Sequence, residues 1–166
     1  MDSLALVKWQ VAAGRRELQG VMADVTQEMA HWTPPGVANP IVDLYLHAVL
    51  GQDRLIGRLQ GKPPLFEQWA NRLNAPANFQ HTPEASRALK TDIATLKQYA
   101  EAVFASVDGC LATLKDSDLE RLVEGFRGQA PMANQLSVLL ITHPFEHIGE
   151  ISAIKGCQGQ KGYATA

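Results

Sequence analysis

His143 and His147 stand four residues apart in the segment Thr142-His143-Pro144-Phe145-Glu146-His147-Ile148-Gly149-Glu150-Ile151, inside an apolar run of helical period. At about 3.6 residues per turn, positions four apart lie roughly 40° around the axis and about 6 Å along it, so both rings can touch one ion. On the same wheel Met132, Leu136, Leu139, Leu140, Ile151 and Ile154 fall within roughly 80° of His143, as does Glu150. The two imidazoles and a carboxylate are therefore expected to face the core. Leaving two buried imidazoles without partners would cost about 1–3 kcal/mol each, and a cation is one partner that suits both.

Two histidines hold zinc or nickel poorly, so a third ligand is needed. His47, three residues after Leu44 and beside an apolar helical stripe, is the best candidate, with a hydrogen-bonded boundary histidine as its alternative reading. His31 and His81 sit at helix ends beside prolines and loops, where solvated imidazoles are ordinary. Three neutral imidazoles would leave a fourth position for water or substrate, the arrangement of catalytic zinc, at which a water or a thiol is acidified. Glu150, three residues after His147, and Asp43, four before His47, have offsets suited to accepting a ring N–H. Glu150 is alternatively a ligand or a catalytic proton acceptor. Asp43, Asp53 and Glu146 read as solvated helix-face residues. Pro144 removes a backbone donor and should kink the helix or free a carbonyl near the site, and Gly149 would let another helix approach closely.

Other motifs match less well. His143-x-x-Glu146-His147 has the inverted zinc-protease pattern, but such enzymes need a further ligand well downstream in a larger domain. Glu28-x-x-His31 resembles half of a di-iron carboxylate site, and no second Glu-x-x-His exists in the chain. Gly-rich phosphate loops, a Gly-x-Ser-x-Gly elbow and cysteine-based zinc patterns are absent from the sequence.

The elements that must position the histidines are helices. Leu4, Val7, Val11, Leu18, Val21, Val25 and Met29, with Gly14 in the gap, predict one long amphipathic helix ending before Trp32-Thr33-Pro34-Pro35-Gly36. Asn39 as cap and Pro40 at the first position open a second helix with the stripe Ile41, Leu44, Ala48, Gly51, Leu55 and Leu59, closed by Gly61 and Pro63-Pro64. Lys62 to His81 reads as a long crossover with one short helix near Phe66 to Leu73. Thr82-Pro83-Glu84 opens a third helix with the stripe Leu89, Ile93, Leu96, Ala100, Val103, Val107, Cys110 or Leu111, and Leu114. Lys115 to Ala130 is polar and predicts at most a turn near Leu119 to Val123. Pro131 then opens a fourth helix to about Lys155. No strand signal competes, so the expected fold is all-α, a four-helix bundle over residues 1–156, with 157–166 as a flexible tail.

Composition limits the partners. A hydrophobic content of 46% in 166 residues suffices for one core, and a net charge of −2 with scattered basic residues lacks the stripe that nucleic-acid binding requires. Even a pure apolar run as long as any in the chain, Val138 to Ile141, is too short to span a bilayer, and Cys110 and Cys157 show no disulfide spacing. The expectation is a soluble, cytoplasmic protein with reduced thiols, a small-molecule substrate, and neither nucleic acid nor membrane as partner.

Leu44-Tyr45-Leu46-His47 midway along the second helix, Leu114-x-Asp116-Ser117-Asp118-Leu119-x-Arg121 after the third, and His143-x-x-x-His147-x-Gly149-x-Ile151 on the fourth resemble the DinB-like, or YfiT-like, superfamily of metalloenzymes over nearly the whole chain. The resemblance implies a bundle of uncommon connectivity, frequent homodimers, and a divalent metal held by His47, His143 and His147. It also implies a transferase or isomerase that uses a low-molecular-weight thiol such as bacillithiol, mycothiol or glutathione. Zinc or nickel is the expected ion, and iron or copper would also suit three imidazoles. Two positions depart from the pattern: Glu150 stands where the family often has glutamine, and Pro144 is unusual. The rival expectations are a metal-dependent hydrolase and a non-catalytic bundle that the ion only stabilises.

Overall fold

A computed structural model of the chain describes residues 2–125 and 128–163. Helix α1 (Ser3–Met22) opens where the Asp2 carboxylate accepts from the Ala5 amide at 2.7 Å, and a short α2 (Gln27–His31) follows once the Thr26 hydroxyl caps it. Helix α3 (Ile41–Gln60) ends at Gly61, whose positive φ of 65° lets the Lys62 amide return to the Gly57 carbonyl. The crossover carries α4 (Phe66–Trp69) and α5 (Pro83–Ala88) before the long α6 (Ile93–Thr113). A 3₁₀ turn (Asp116–Glu120) and an antiparallel hairpin, β1 (Leu122–Gly125) with β2 (Gly128–Pro131), then lead into the last rod. That rod is α7 (Met132–Ser137), a π-helical turn (Val138–Thr142) and α8 (His143–Cys157).

Contacts between rods set their directions. Phe145 lies against Gly14 while Lys155 reaches Val21 and Asp24, so α1 and α8 run parallel. Arg15 pairs with Asp108 and Gln19 with Glu101, so α1 and α6 run antiparallel. Asp53 meets Tyr99 and Gln60 meets Cys110, which makes α3 and α6 parallel. His47 against His147 and Gly51 against His143 make α3 and α8 antiparallel. The bundle is therefore up-down-down-up, and its parallel middle pair requires a connection that travels back along the bundle. The expected crossover between the second and third rods does this. Leu18, Leu46, Leu96, Leu136 and Ile151, all fully buried, supply the core from every rod. No described helix is long and apolar enough to cross a membrane.

Several elements differ from the sequence reading. The first helix stops at Met22, because Thr26 offers the backbone a new cap that ends the periodic series early. Asn39 does not cap α3: Pro40 holds the cap position without a side-chain bond, and the Asn39 amide turns to His81. The third helix is split at Leu89 to Asp92, where the Asp92 carboxylate accepts from the Thr95 amide and hydroxyl and begins a fresh helix. The stretch expected to hold at most a turn contains a hairpin, pairing Leu122 with Pro131 and Glu124 with Gln129; residues 126 and 127 of that stretch lie outside the described residues. Asp53, read as solvated, is buried and accepts from the Leu65 amide (2.9 Å), the Phe66 amide (2.8 Å) and the Tyr99 hydroxyl (2.7 Å), fastening the crossover to both middle rods. Beyond Lys155 the helix continues to Cys157, and the Gln158 side chain donates to the Met29 carbonyl at 3.2 Å. Residues 164–166 of the expected tail lie outside the described residues.

Candidate metal centre

Helix α3 carries His47 between the buried Leu46 and Ala48, with its own ring half-buried. Facing it, α8 presents His143 at its first residue and buried His147 one turn later. The π-helical turn just before His143 has a local cause. Pro144 has no amide hydrogen to give the Leu140 carbonyl, and its ring excludes that carbonyl from its usual place, so the backbone widens by one residue. The Thr142 hydroxyl bonds to the Ser137 carbonyl at 2.9 Å across the widened turn. The kink expected at Pro144 takes the form of this widened turn, which divides the fourth helix, and α8 restarts with the histidines turned toward α3.

The three rings converge. Centroid separations are 4.9 Å for His47 to His143, 5.0 Å for His47 to His147 and 4.5 Å for His143 to His147. One ring nitrogen from each falls within 4.8 Å of the other two. The His147 Nδ1 lies 2.6 Å from the Glu150 Oε2, and since an ionised carboxylate only accepts, Nδ1 carries a hydrogen, which in the neutral ring leaves the Nε2 lone pair free. The same hydrogen bond holds the Glu150 carboxyl below its usual range. That Nε2 points at the His143 Nε2, 3.0 Å away, while the His143 Nδ1 is buried without a partner.

Two imidazole nitrogens facing each other beside a third ring form a group that could hold a divalent cation. Their charge state agrees. Burial pushes His47 down to about 3 and His143 down to about 4, the neighbouring histidines adding to the effect, so both are neutral ligands near pH 7. The residues present fit a metal ion, and Gly51 contributes to that fit: a Cβ there would lie 3.1 Å from His143 Cε1 and 3.2 Å from its Nδ1.

The structure brings His47, His143, His147 and Glu150 together. Glu146 is exposed, which leaves the inverted zinc-protease pattern without its base. Two residues set aside in the sequence belong to the surroundings of the site. His81, read as solvated, stacks on His47 with centroids 4.0 Å apart and planes at 22°. Asp43, read as a solvated face, is fully buried, and its Oδ2 lies 2.7 Å from the His81 Nδ1 rather than on His47. A signal for Asp43 was present in Ile41-Val42-Asp43-Leu44-Tyr45-Leu46, where an acid interrupts a run apolar on every side. His81 carried no such signal, because its contact depends on how the crossover folds back.

Comparison with known proteins agrees with this architecture. The bundle superimposes with a TM-score of 0.77 on a solved structure described as a conserved protein from Enterococcus faecalis, at 17% identity, covering 94% of this chain and 99% of that one. No curated protein sequence matches the chain. Residues 10–151, which include all three histidines, match the model of the DinB superfamily, and with the up-down-down-up bundle and the convergent His47, His143 and His147 around it, the chain belongs to that superfamily.

Proposed function

We propose that this protein is a metal-dependent enzyme that transfers a low-molecular-weight thiol to a small electrophile, with His47, His143 and His147 holding a zinc or nickel ion. The observation that carries the metal is the meeting of three imidazoles from two rods within 4.8 Å, with no carboxylate in the group. A divalent ion bound there supplies Lewis acidity that lowers the pKa of a thiol beside it. Glu150 fixes the His147 tautomer, Gly51 makes room for His143, and burial keeps His47 and His143 unprotonated. In the transfer, the thiol releases its proton to solvent, its sulfur bonds to the electrophilic carbon, and the leaving group departs with its electron pair. The thiol class rests on kinship with the superfamily alone.

Two measurements test the proposal. Metal content of the purified protein should fall to background in the His143→Ala, His147→Ala variant, and equal content in both would remove the metal. Zinc- or nickel-loaded protein should conjugate at least one of bacillithiol, mycothiol and glutathione. Failure with every thiol, alongside turnover of hydrolase substrates, would replace transfer with metal-assisted hydrolysis. Pairing of two copies is part of the same proposal, supported by the exposed Leu6 and Trp9 on α1 and Val138 and Phe145 on the adjoining rod. Sedimentation as a monomer at micromolar concentration would remove it.

A further inference from the structure

His81 belongs to the crossover, immediately before the cap that opens α5, yet its ring lies flat on the face of His47. Its Nδ1 is 2.7 Å from Asp43 Oδ2, and its Nε2 is 3.1 Å from the Asn39 amide nitrogen. Two residues earlier, the Phe79 carbonyl accepts from Arg54 of α3 at 3.0 Å, so the backbone leading to the ring is also fastened to the helix that bears His47. Asp43 stands one turn before His47 on that helix and is fully buried. Among the described residues neither of its oxygens has an aligned hydrogen-bond donor, and the approach of His81 is its one charge contact. A buried carboxylate without a counter-charge is strongly disfavoured, which ties His81 to this place. His147 has Glu150 to orient its ring; among the described residues no carboxylate or carbonyl accepts from His47, and the His81 ring is stacked on its face.

We infer that His81 is a positioning residue of the metal centre: anchored by Asp43, its ring holds His47 in the orientation that binds the ion. The inference rests on the metal reading above. It predicts a loss of affinity like that of other groups that orient a ligand from behind, about 10- to 100-fold.

Cobalt(II) alone is the probe, read by its visible ligand-field absorption and by competition with a chelator. Two double variants avoid an uncompensated carboxylate: Asp43→Asn with His81→Leu, and Asp43→Asn with His81→Phe, the second keeping a flat ring over His47. The leucine variant should bind cobalt at least 10-fold more weakly with an altered spectrum, and the phenylalanine variant should recover to within about threefold of the native chain. Melting of the metal-free proteins is measured in parallel. Lower melting temperatures with native affinity and spectrum in the leucine variant would make the pair merely structural and overturn the inference. No cobalt binding by the native chain would instead overturn the metal centre itself, and the inference with it.

Discussion

Gly51 lies directly beneath His143: a methyl group on its Cα would stand 3.1 Å from the ring's Cε1. The two residues come from antiparallel helices, and the missing side chain is what lets the imidazole reach the other two rings. Gly51→Ala should therefore separate stability from binding. Alanine in a helix interior stabilises by about 0.5–1 kcal/mol relative to glycine, so the metal-free protein should melt no lower than native. The ring must give by a few tenths of an ångström, and metal affinity should fall about 10-fold in chelator competition. Unchanged affinity would show that His143 relaxes freely.

Glu150 acts on His147 from behind. Its carboxylate takes the Nδ1 hydrogen at 2.6 Å, so Glu150→Ala should weaken metal binding about 10- to 100-fold. Glu150→Gln keeps an acceptor oxygen without the charge and should lose less. An alanine variant with native affinity would remove the positioning role.

At the far end of α8, Lys155 is completely buried, donating to the Val21 carbonyl at 3.0 Å and to Asp24 at 2.5 Å. This pair satisfies the last turn of α1 and draws the Asp24 carboxyl below its usual range. Lys155→Ala opens a cavity and strips that carbonyl of its donor, so unfolding free energy from denaturant titration should drop by about 2–4 kcal/mol. Lys155→Met, which retains the volume, should lose about 1–2 kcal/mol. Both folded variants should bind metal as the native chain does, because the change lies away from the histidines.

Acid should weaken the metal-free protein before it protonates most carboxylates. His47 and His143 have folded pKa values of about 3 and about 4, below the ordinary 6.5, so the unfolded chain takes up their protons first. Their contribution is fully present above pH 6.5 and is lost as pH falls through about 4 for His143 and about 3 for His47. His81 works in the opposite sense: Asp43 raises its pKa, and its stabilisation is present below 6.5 and fades as pH rises through the folded value. Two downward shifts outweigh one upward shift, so the denaturation midpoint of chelator-treated protein should be lower at pH 5.0 than at pH 7.5. An equal or higher midpoint at pH 5.0 would mean that the rings are not buried in solution as they are here.

Much of the site was readable along the chain. The spacing of His143 and His147 is a local property of one helix, and so is the place of His47 beside its stripe; Gly61 and the prolines after it ended α3 where expected. Helix breaks were harder to read, since a stripe of buried residues continues across a break whenever the next segment packs on the same core. Met22 to Gln27 and Leu89 to Ile93 are such places, and short-range caps at Thr26 and Asp92 decided them. The hairpin between α6 and α7 was invisible for a related reason, because four-residue strands are too short to show an alternation.

Local patterns along the chain set the helical rods, the faces they bury and which histidines stand on those faces, since each follows from contacts within a few residues. That α3 and α8 cross where their rings meet, that the crossover folds back to lay His81 on His47, and that Asp43 is sealed beneath it are consequences of packing in three dimensions. Those placements depend on surfaces far apart in the chain being buried together, and helical periodicity specifies a face without specifying its partner.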